Sequence, residues 1–229
     1  MARPEIFIPL DYPCAADAFA MVDRLLPLRP GFKVGLELFV AEGPSFVREL
    51  NAKGADIFLD LKFHDIPNTV AGAVRSASGL GVKYFNVHCG GGSEMLRAAV
   101  KARNDAGGRT KLLGVTVLTS LDDQGVQEIG FPRSASMQVQ HFVELAMASG
   151  LDGVVCSAQE LPLVRQLAGP DFITMVPGIR PSGSAAGDQK RTMSPAESAK
   201  AGAHALVIGR PITGAVDPLA ALKGVLTEV

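Results

Sequence analysis

Asp60, Lys62 and Asp65 lie within thirteen residues of mixed apolar and charged character, Phe58-Leu59-Asp60-Leu61-Lys62-Phe63-His64-Asp65-Ile66-Pro67-Asn68-Thr69-Val70. The run Ala55 to Leu59 predicts an interior β-strand, and side chains two apart on a strand share a face. Asp60 and Lys62 are thus expected side by side at a strand end, with Leu61 turned away and Asp65 three residues beyond. A carboxylate beside an ammonium at such a place can stabilise charge that develops in a reaction. It can equally be an ordinary strand-end ion pair, with Asp65 capping the helix that Pro67 opens. That helix has an apolar stripe at Val70, Ala73, Val74 and Ala77.

More charges occupy comparable positions. Asp11 follows the apolar run Glu5 to Leu10, and Lys33 lies inside Gly31-Phe32-Lys33-Val34-Gly35. A lysine inside a strand is commonly an edge or snorkelling side chain, an explanation that weakens if the sheet has no edges. An alternating row of two lysines and two aspartates suits a reaction that builds negative charge, because each ammonium is held and aimed in advance. A substrate carboxylate pressed against Asp60 would be repelled, and the repulsion would ease as carbon dioxide leaves.

A second group of residues suits an anion. Pro177-Gly178-Ile179-Arg180-Pro181, Gln189 further along the same loop, and Gly209-Arg210 combine glycines that admit close backbone approach with forked guanidinium donors. The plainer alternative is a turn at Gly209 and a surface charge at Arg210. Gly90-Gly91-Gly92 is a competing cradle but lacks an adjacent lysine or arginine, which favours a tight turn near the ligand. Thr119 and Ser120 add hydroxyls after another apolar run. His88, inward beside Asn86, could act as acid or base or be a hydrogen-bonded core histidine. His64, His141 and His204 show no metal-ligand spacing.

The elements that must position these residues alternate along the chain. Strands are expected at Glu5 to Leu10, Gly31 to Gly35, Ala55 to Leu59, Lys83 to His88, Leu112 to Leu118, Gly153 to Cys156, Phe172 to Val176 and Ala205 to Ile208. Each is followed by a helix, over about Ala15 to Leu26, Val40 to Lys53, Ile66 to Ser78, Ser93 to Asp105, Ser136 to Ser149, Gln159 to Leu167, Pro195 to Ala201 and Pro218 to Leu226. Eight βα units within 229 residues predict a single (β/α)₈ barrel domain over residues 1–229, with an open doubly wound sheet as the alternative. Catalytic groups of such barrels sit where strands end, and the last two loops commonly hold phosphate. The loop from Gly178 to Met193 is long enough to be a lid.

Composition narrows the function. With 47% hydrophobic and 20% charged residues the chain can bury a large core, and a formal net charge of -1 provides no footprint for nucleic acid or an anionic membrane. The three cysteines, Cys14, Cys89 and Cys156, lie far apart without a CxxC pair, which reads as buried thiols and no zinc or redox centre. The apolar run Ile6 to Leu10 is too short for a signal-peptide core or a membrane span, so the expectation is a cytoplasmic protein.

Taken together, Pro9-Leu10-Asp11, Phe32-Lys33-Val34-Gly35, Asp60-Leu61-Lys62-Phe63-His64-Asp65-Ile66-Pro67-Asn68-Thr69-Val70, Val115-Thr116-Val117-Leu118-Thr119-Ser120, Pro177 to Pro181, Asp188-Gln189-Lys190-Arg191 and Ile208-Gly209-Arg210-Pro211 closely resemble the orotidine 5′-phosphate decarboxylase family. The resemblance runs nearly end to end and implies a cofactor-free, metal-free decarboxylation of orotidine 5′-monophosphate to UMP in pyrimidine biosynthesis. It implies that Lys62 donates the proton to C6 of the pyrimidine, that Asp60 lies against the departing carboxylate and that Lys33 completes the charged network. Asp11 and Lys33 would hold the ribose hydroxyls, Thr119 and Ser120 the pyrimidine, and Arg180, Gln189, Gly209 and Arg210 the phosphate, with Pro177 also touching substrate. Family members are homodimers, so Asp65, Ile66 and Thr69 would act in the partner's site. The nearest rivals are related barrels that act on sugar phosphates with Mg²⁺. They share the Asp-x-Lys-x-x-Asp pattern but carry a carboxylate where Lys33 stands. A non-catalytic nucleotide-binding protein on the same fold is a third possibility.

Overall fold

The computed structural model describes residues 3–181 and 193–229. Eight parallel strands close in sequence order into a barrel, each paired with the next and β8 with β1. They are β1 (Glu5–Pro9), β2 (Gly31–Val34), β3 (Ile57–Phe63), β4 (Tyr84–His88), β5 (Lys111–Val115), β6 (Gly153–Val155), β7 (Ile173–Val176) and β8 (Ala205–Val207). Closure rules out the open-sheet alternative and leaves Lys33 of β2 with hydrogen-bonded strands on both sides.

Around the barrel run α1 (Ala15–Leu25), α2 (Leu36–Ala52), α3 (Pro67–Ser78), α4 (Gly92–Asp105), α5 (Asp123–Glu128), α6 (Ala135–Ala148), α7 (Leu161–Ala168), α8 (Pro195–Lys200), α9 (Arg210–Thr213) and α10 (Pro218–Glu228). Three differences from expectation have local causes. The second helix begins at Leu36 and not near Val40, and it is kinked at Gly43, whose φ of 68° precedes Pro44. Phe46, Val47 and Leu50 still form its buried stripe. The stretch after β5, where no element is expected before Ser136, contains α5, which starts where the Asp122 side chain accepts from the Gly125 N–H. The fifth strand ends at Val115, short of Leu118, and Thr116 then donates through both its N–H and its hydroxyl to the Val155 carbonyl.

Strand alternation builds two apolar layers. Ile6, Ile8, Phe32, Val34, Ile57 and Leu59 face the helices, while Phe7, Phe58, Tyr84, Leu113, Met175, Ala205 and Val207 fill the barrel interior. Phe7 meets Phe58 and Tyr84 edge to face, at centroid separations of 6.2 and 5.6 Å. Each such ring contributes about 1.5–3 kcal/mol by burial. The plug closes the N-terminal end of the barrel, so inward side chains further along the strands open only towards the C-terminal face. At the closed end Lys83 bridges Glu5 and Asp56 at 2.7 and 2.8 Å. No helix among the described residues is long and apolar enough to cross a membrane.

Candidate active site

Because Phe32 and Val34 pack against the helices, Lys33 between them points into the barrel. Its ammonium lies 3.2 Å from Asp11 Oδ1 and 3.6 Å from Asp60 Oδ2. Lys62 Nζ stands 2.7 Å from Asp60 Oδ1. Asp11, Lys33, Asp60 and Lys62 thus form one row of alternating charge across the ends of the first three strands. Gly35 permits the close approach, since a Cβ there would lie 2.9 Å from Lys33 Nζ.

The pairing of Asp60 with Lys62 has a different cause from plain strand alternation. β3 continues through both residues to Phe63, but its register with β4 shifts between Leu59, opposite Phe85, and Phe63, opposite Val87. The three residues Asp60-Leu61-Lys62 therefore stand opposite Asn86 alone, and Lys62 takes a left-handed φ of 51°. A bulge of this kind re-aims side chains beside a site. Asn86, 1% exposed, holds it closed: its Nδ2 donates to Asp60 Oδ1 at 2.7 Å, and its Oδ1 accepts from the Lys62 N–H at 2.8 Å. Along the sequence Asn86 stands out only as the inward neighbour of His88. Its available signal was an amide inside the apolar run Tyr84 to Val87.

Burial alone would raise the pKa of Asp60. The charges of Lys33 and Lys62, with hydrogen bonds from Lys62 and Asn86, outweigh that effect and hold the carboxyl below its ordinary value. His88 stacks on His64 at 5.2 Å, and burial, His64 and Lys62 together depress its pKa. A neutral His88 agrees with its Nδ1 accepting from the Gly90 N–H at 3.4 Å. Cys89 to Gly91 form a single 3₁₀ turn, and a Cβ on Gly91 would collide with Met95. The glycines thus serve a tight turn packed on the histidines, and none of them lines either cavity described next.

Two adjoining cavities open at the C-terminal face. One, of about 280 Å³, is lined by Asp60, Lys62, Thr119, Ser120 and Cys156 over a floor that includes Phe58. The other, of about 560 Å³, is lined by Asp11, Gly178, Arg180, Gly209 and Arg210. Lys33, Pro177 and Val207 border both, so charged row and basic end belong to one cleft. Gln189 lies outside the described residues. Asp65, Ile66 and Thr69 line neither cavity and are exposed, Ile66 at 67%. Asp65 Oδ1 accepts from the adjacent Ile66 N–H at 2.6 Å, while Ile66 itself occupies the N-cap position of α3.

A cleft that combines a row of fixed charge, two hydroxyls and an arginine-bearing end is fitted to an anionic, phosphorylated small molecule. The chain is similar to known proteins over nearly its whole length. A family model described as "Orotidine 5'-phosphate decarboxylase / HUMPS family" matches residues 4–225. The orotidine 5'-phosphate decarboxylase of Alkalilimnicola ehrlichii is 52% identical, the match covering 100% of this chain and 97% of that protein. Its namesake in Moorella thermoacetica is 48% identical over 100% of this chain and 93% of its own length. Among solved structures, orotidine 5'-phosphate decarboxylase from Lactobacillus acidophilus superposes with a TM-score of 0.88 at 36% identity, covering 99% of both chains.

Proposed function

Since the chain belongs to the orotidine 5′-phosphate decarboxylase / HUMPS family, we propose that it decarboxylates orotidine 5′-monophosphate to UMP and carbon dioxide, as a cytoplasmic homodimer serving de novo pyrimidine synthesis. The observation that carries this reading is the row Asp11, Lys33, Asp60, Lys62, with successive contacts of 3.2, 3.6 and 2.7 Å.

In the proposed mechanism the phosphate binds at Arg180, Gly209 and Arg210, with Gln189, and the pyrimidine lies towards Thr119 and Ser120 under Pro177. Asp11 and Lys33 take the ribose hydroxyls. The substrate carboxylate then meets Asp60, whose ionised form is favoured by its neighbours, and the repulsion raises the ground state. As the C6 to carboxylate bond breaks, its electron pair stays on C6 and carbon dioxide departs. Lys62 Nζ gives its proton to C6, forming the C–H bond of UMP, and regains one from solvent. The ring offers that carbanion no adjacent carbonyl, so the fixed ammonium groups supply the stabilisation. Contacts to the distant phosphate help hold the ring against Asp60.

The family name also covers enzymes of sugar phosphates, and Lys33 argues against that alternative. Its ammonium fills the space between Asp11 and Asp60 and would repel a divalent cation there. The exposure of Asp65, Ile66 and Thr69 supports their assignment to a partner's site. The test is to follow orotidine 5′-monophosphate by ultraviolet absorbance with purified protein, with and without EDTA. Turnover insensitive to EDTA is expected. Absence of turnover refutes the activity, and EDTA-sensitive turnover refutes the metal-free mechanism.

A further inference from the structure

We propose that Asn86 is a positioning residue of this site, whose carboxamide holds the Lys62 backbone in its left-handed turn and shares Asp60 Oδ1 with the Lys62 ammonium. The inference rests on the decarboxylase reading for its kinetic consequences, though not for its geometry. Asn86 borders neither cavity, so it acts on substrate only through Asp60 and Lys62.

The orientation of the amide follows from its partners. A carboxylate can only accept, and a backbone N–H can only donate, so Nδ2 must face Asp60 and Oδ1 must face Lys62. Both bonds are short, at 2.7 and 2.8 Å, and buried or partly buried. They act on the two features that place the Lys62 ammonium. The first is the backbone turn: a lysine at φ 51° is unfavourable without an external partner, and the Asn86 oxygen supplies one to its N–H. The second is the far end of the side chain. Lys62 Nζ and Asn86 Nδ2 both donate to the same Asp60 oxygen, at 2.7 Å each, so the carboxylate is anchored from β4 while it holds the ammonium. One side chain thus ties backbone and headgroup of Lys62 to the neighbouring strand. Register alone makes this possible, because one residue of β4 faces three of β3.

Two variants test the proposal. Asn86→Leu removes both hydrogen bonds at similar volume. Asn86→Asp keeps the acceptor for the Lys62 N–H but sets a second carboxylate against Asp60. Asp60 is otherwise faced by Lys33 from β2 and Lys62 of its own strand, with Asp11 behind Lys33 and the His64–His88 pair beside Lys62. In Asn86→Leu, kcat per folded site should fall by about 10- to 100-fold, the effect of losing buried hydrogen bonds to a charged group. KM and the affinity for UMP should change less than kcat, because the phosphate end at Arg180, Gly209 and Arg210 is untouched. The acid limb of the kcat/KM profile should move to higher pH in both variants, and furthest in Asn86→Asp, where two carboxylates share a proton. A purely structural role would lower the melting temperature and leave kcat per folded site and the acid limb at wild-type values, an outcome that overturns the proposal. If Asn86→Leu does not fold, the acid limb of Asn86→Asp decides. A crystal structure of a folded variant reads the geometry without turnover: Lys62 should leave the left-handed region in Asn86→Leu, and retention of that φ with the 2.7 Å pair to Asp60 would overturn the proposal. Wild-type protein that binds UMP without turning over substrate would refute the activity instead.

Discussion

Replacing Lys62 by glycine and by alanine separates the cost of its backbone from the loss of its charge. Both variants lose the 2.7 Å pair with Asp60 and leave that carboxylate to Lys33 and Asn86, so this penalty is common to the two and cancels in the comparison. What differs is the φ of 51°. A left-handed conformation costs an L-residue about 1–2 kcal/mol and costs glycine nothing, while the greater freedom of unfolded glycine returns about 0.5–1 kcal/mol. At the middle of both ranges about 0.75 kcal/mol remains in favour of Lys62→Gly. For a chain of this length that corresponds to a melting temperature about 1–4 °C above that of Lys62→Ala. The assay is thermal denaturation at matched protein concentration, because the proposed dimer would make the midpoint concentration-dependent. Both variants should also lose at least about 10²-fold in decarboxylation, the scale of a missing proton donor, while still binding UMP. An alanine variant that melts at or above the glycine variant would show that the backbone at Lys62 is not strained, and the reasoning would fail.

Gly35→Ala should displace the Lys33 ammonium, which a Cβ would approach to 2.9 Å, without straining the chain, since Gly35 has φ -94° and ψ -173°. The gain of about 0.4–1 kcal/mol from the less flexible unfolded chain is opposed by the loosened pairs of Lys33 with Asp11 and Asp60, so stability should not rise, while kcat/KM falls by about 10²-fold; undiminished turnover would contradict the role given to Lys33. Mixing inactive Lys62→Ala with inactive Asp65→Ala should restore about a quarter of wild-type activity, because half of randomly formed dimers are hybrids with one intact site each. No recovery despite demonstrated subunit exchange would place Asp65 outside the partner's site. At the closed end of the barrel, burial and Glu5 raise the Tyr84 pKa from 10.0 to about 12. The neutral phenol's contribution to stability is complete below the unfolded value and is lost as pH rises through the folded one. Urea denaturation should therefore show stability falling between about pH 10 and 12, and Tyr84→Phe should reduce that slope. An identical slope in the variant would refute the assignment.

Much of this protein is determined locally and is therefore readable along the chain. Period-2 alternation placed Lys33 opposite to Phe32 and Val34, and the repeat of short apolar strands with amphipathic helices implied a barrel whose strand ends carry the charges. Residues whose neighbours lie on other strands were legible only as positions. Spacing put Asp60 beside Lys62, but the pair is made by a bulge, a left-handed lysine and the side chain of Asn86, all of which depend on the register between β3 and β4. Pairing register is a property of two strands, so no periodicity within either one encodes it. The same holds for Asp65, where spacing suggested a helix cap and the fold places an exposed carboxylate bonded to its neighbour's N–H. Local alternation along the chain settles that Lys33 faces the barrel's mouth. Tertiary structure decided how Lys62 is aimed, because its conformation is stabilised from a strand that begins more than twenty residues later.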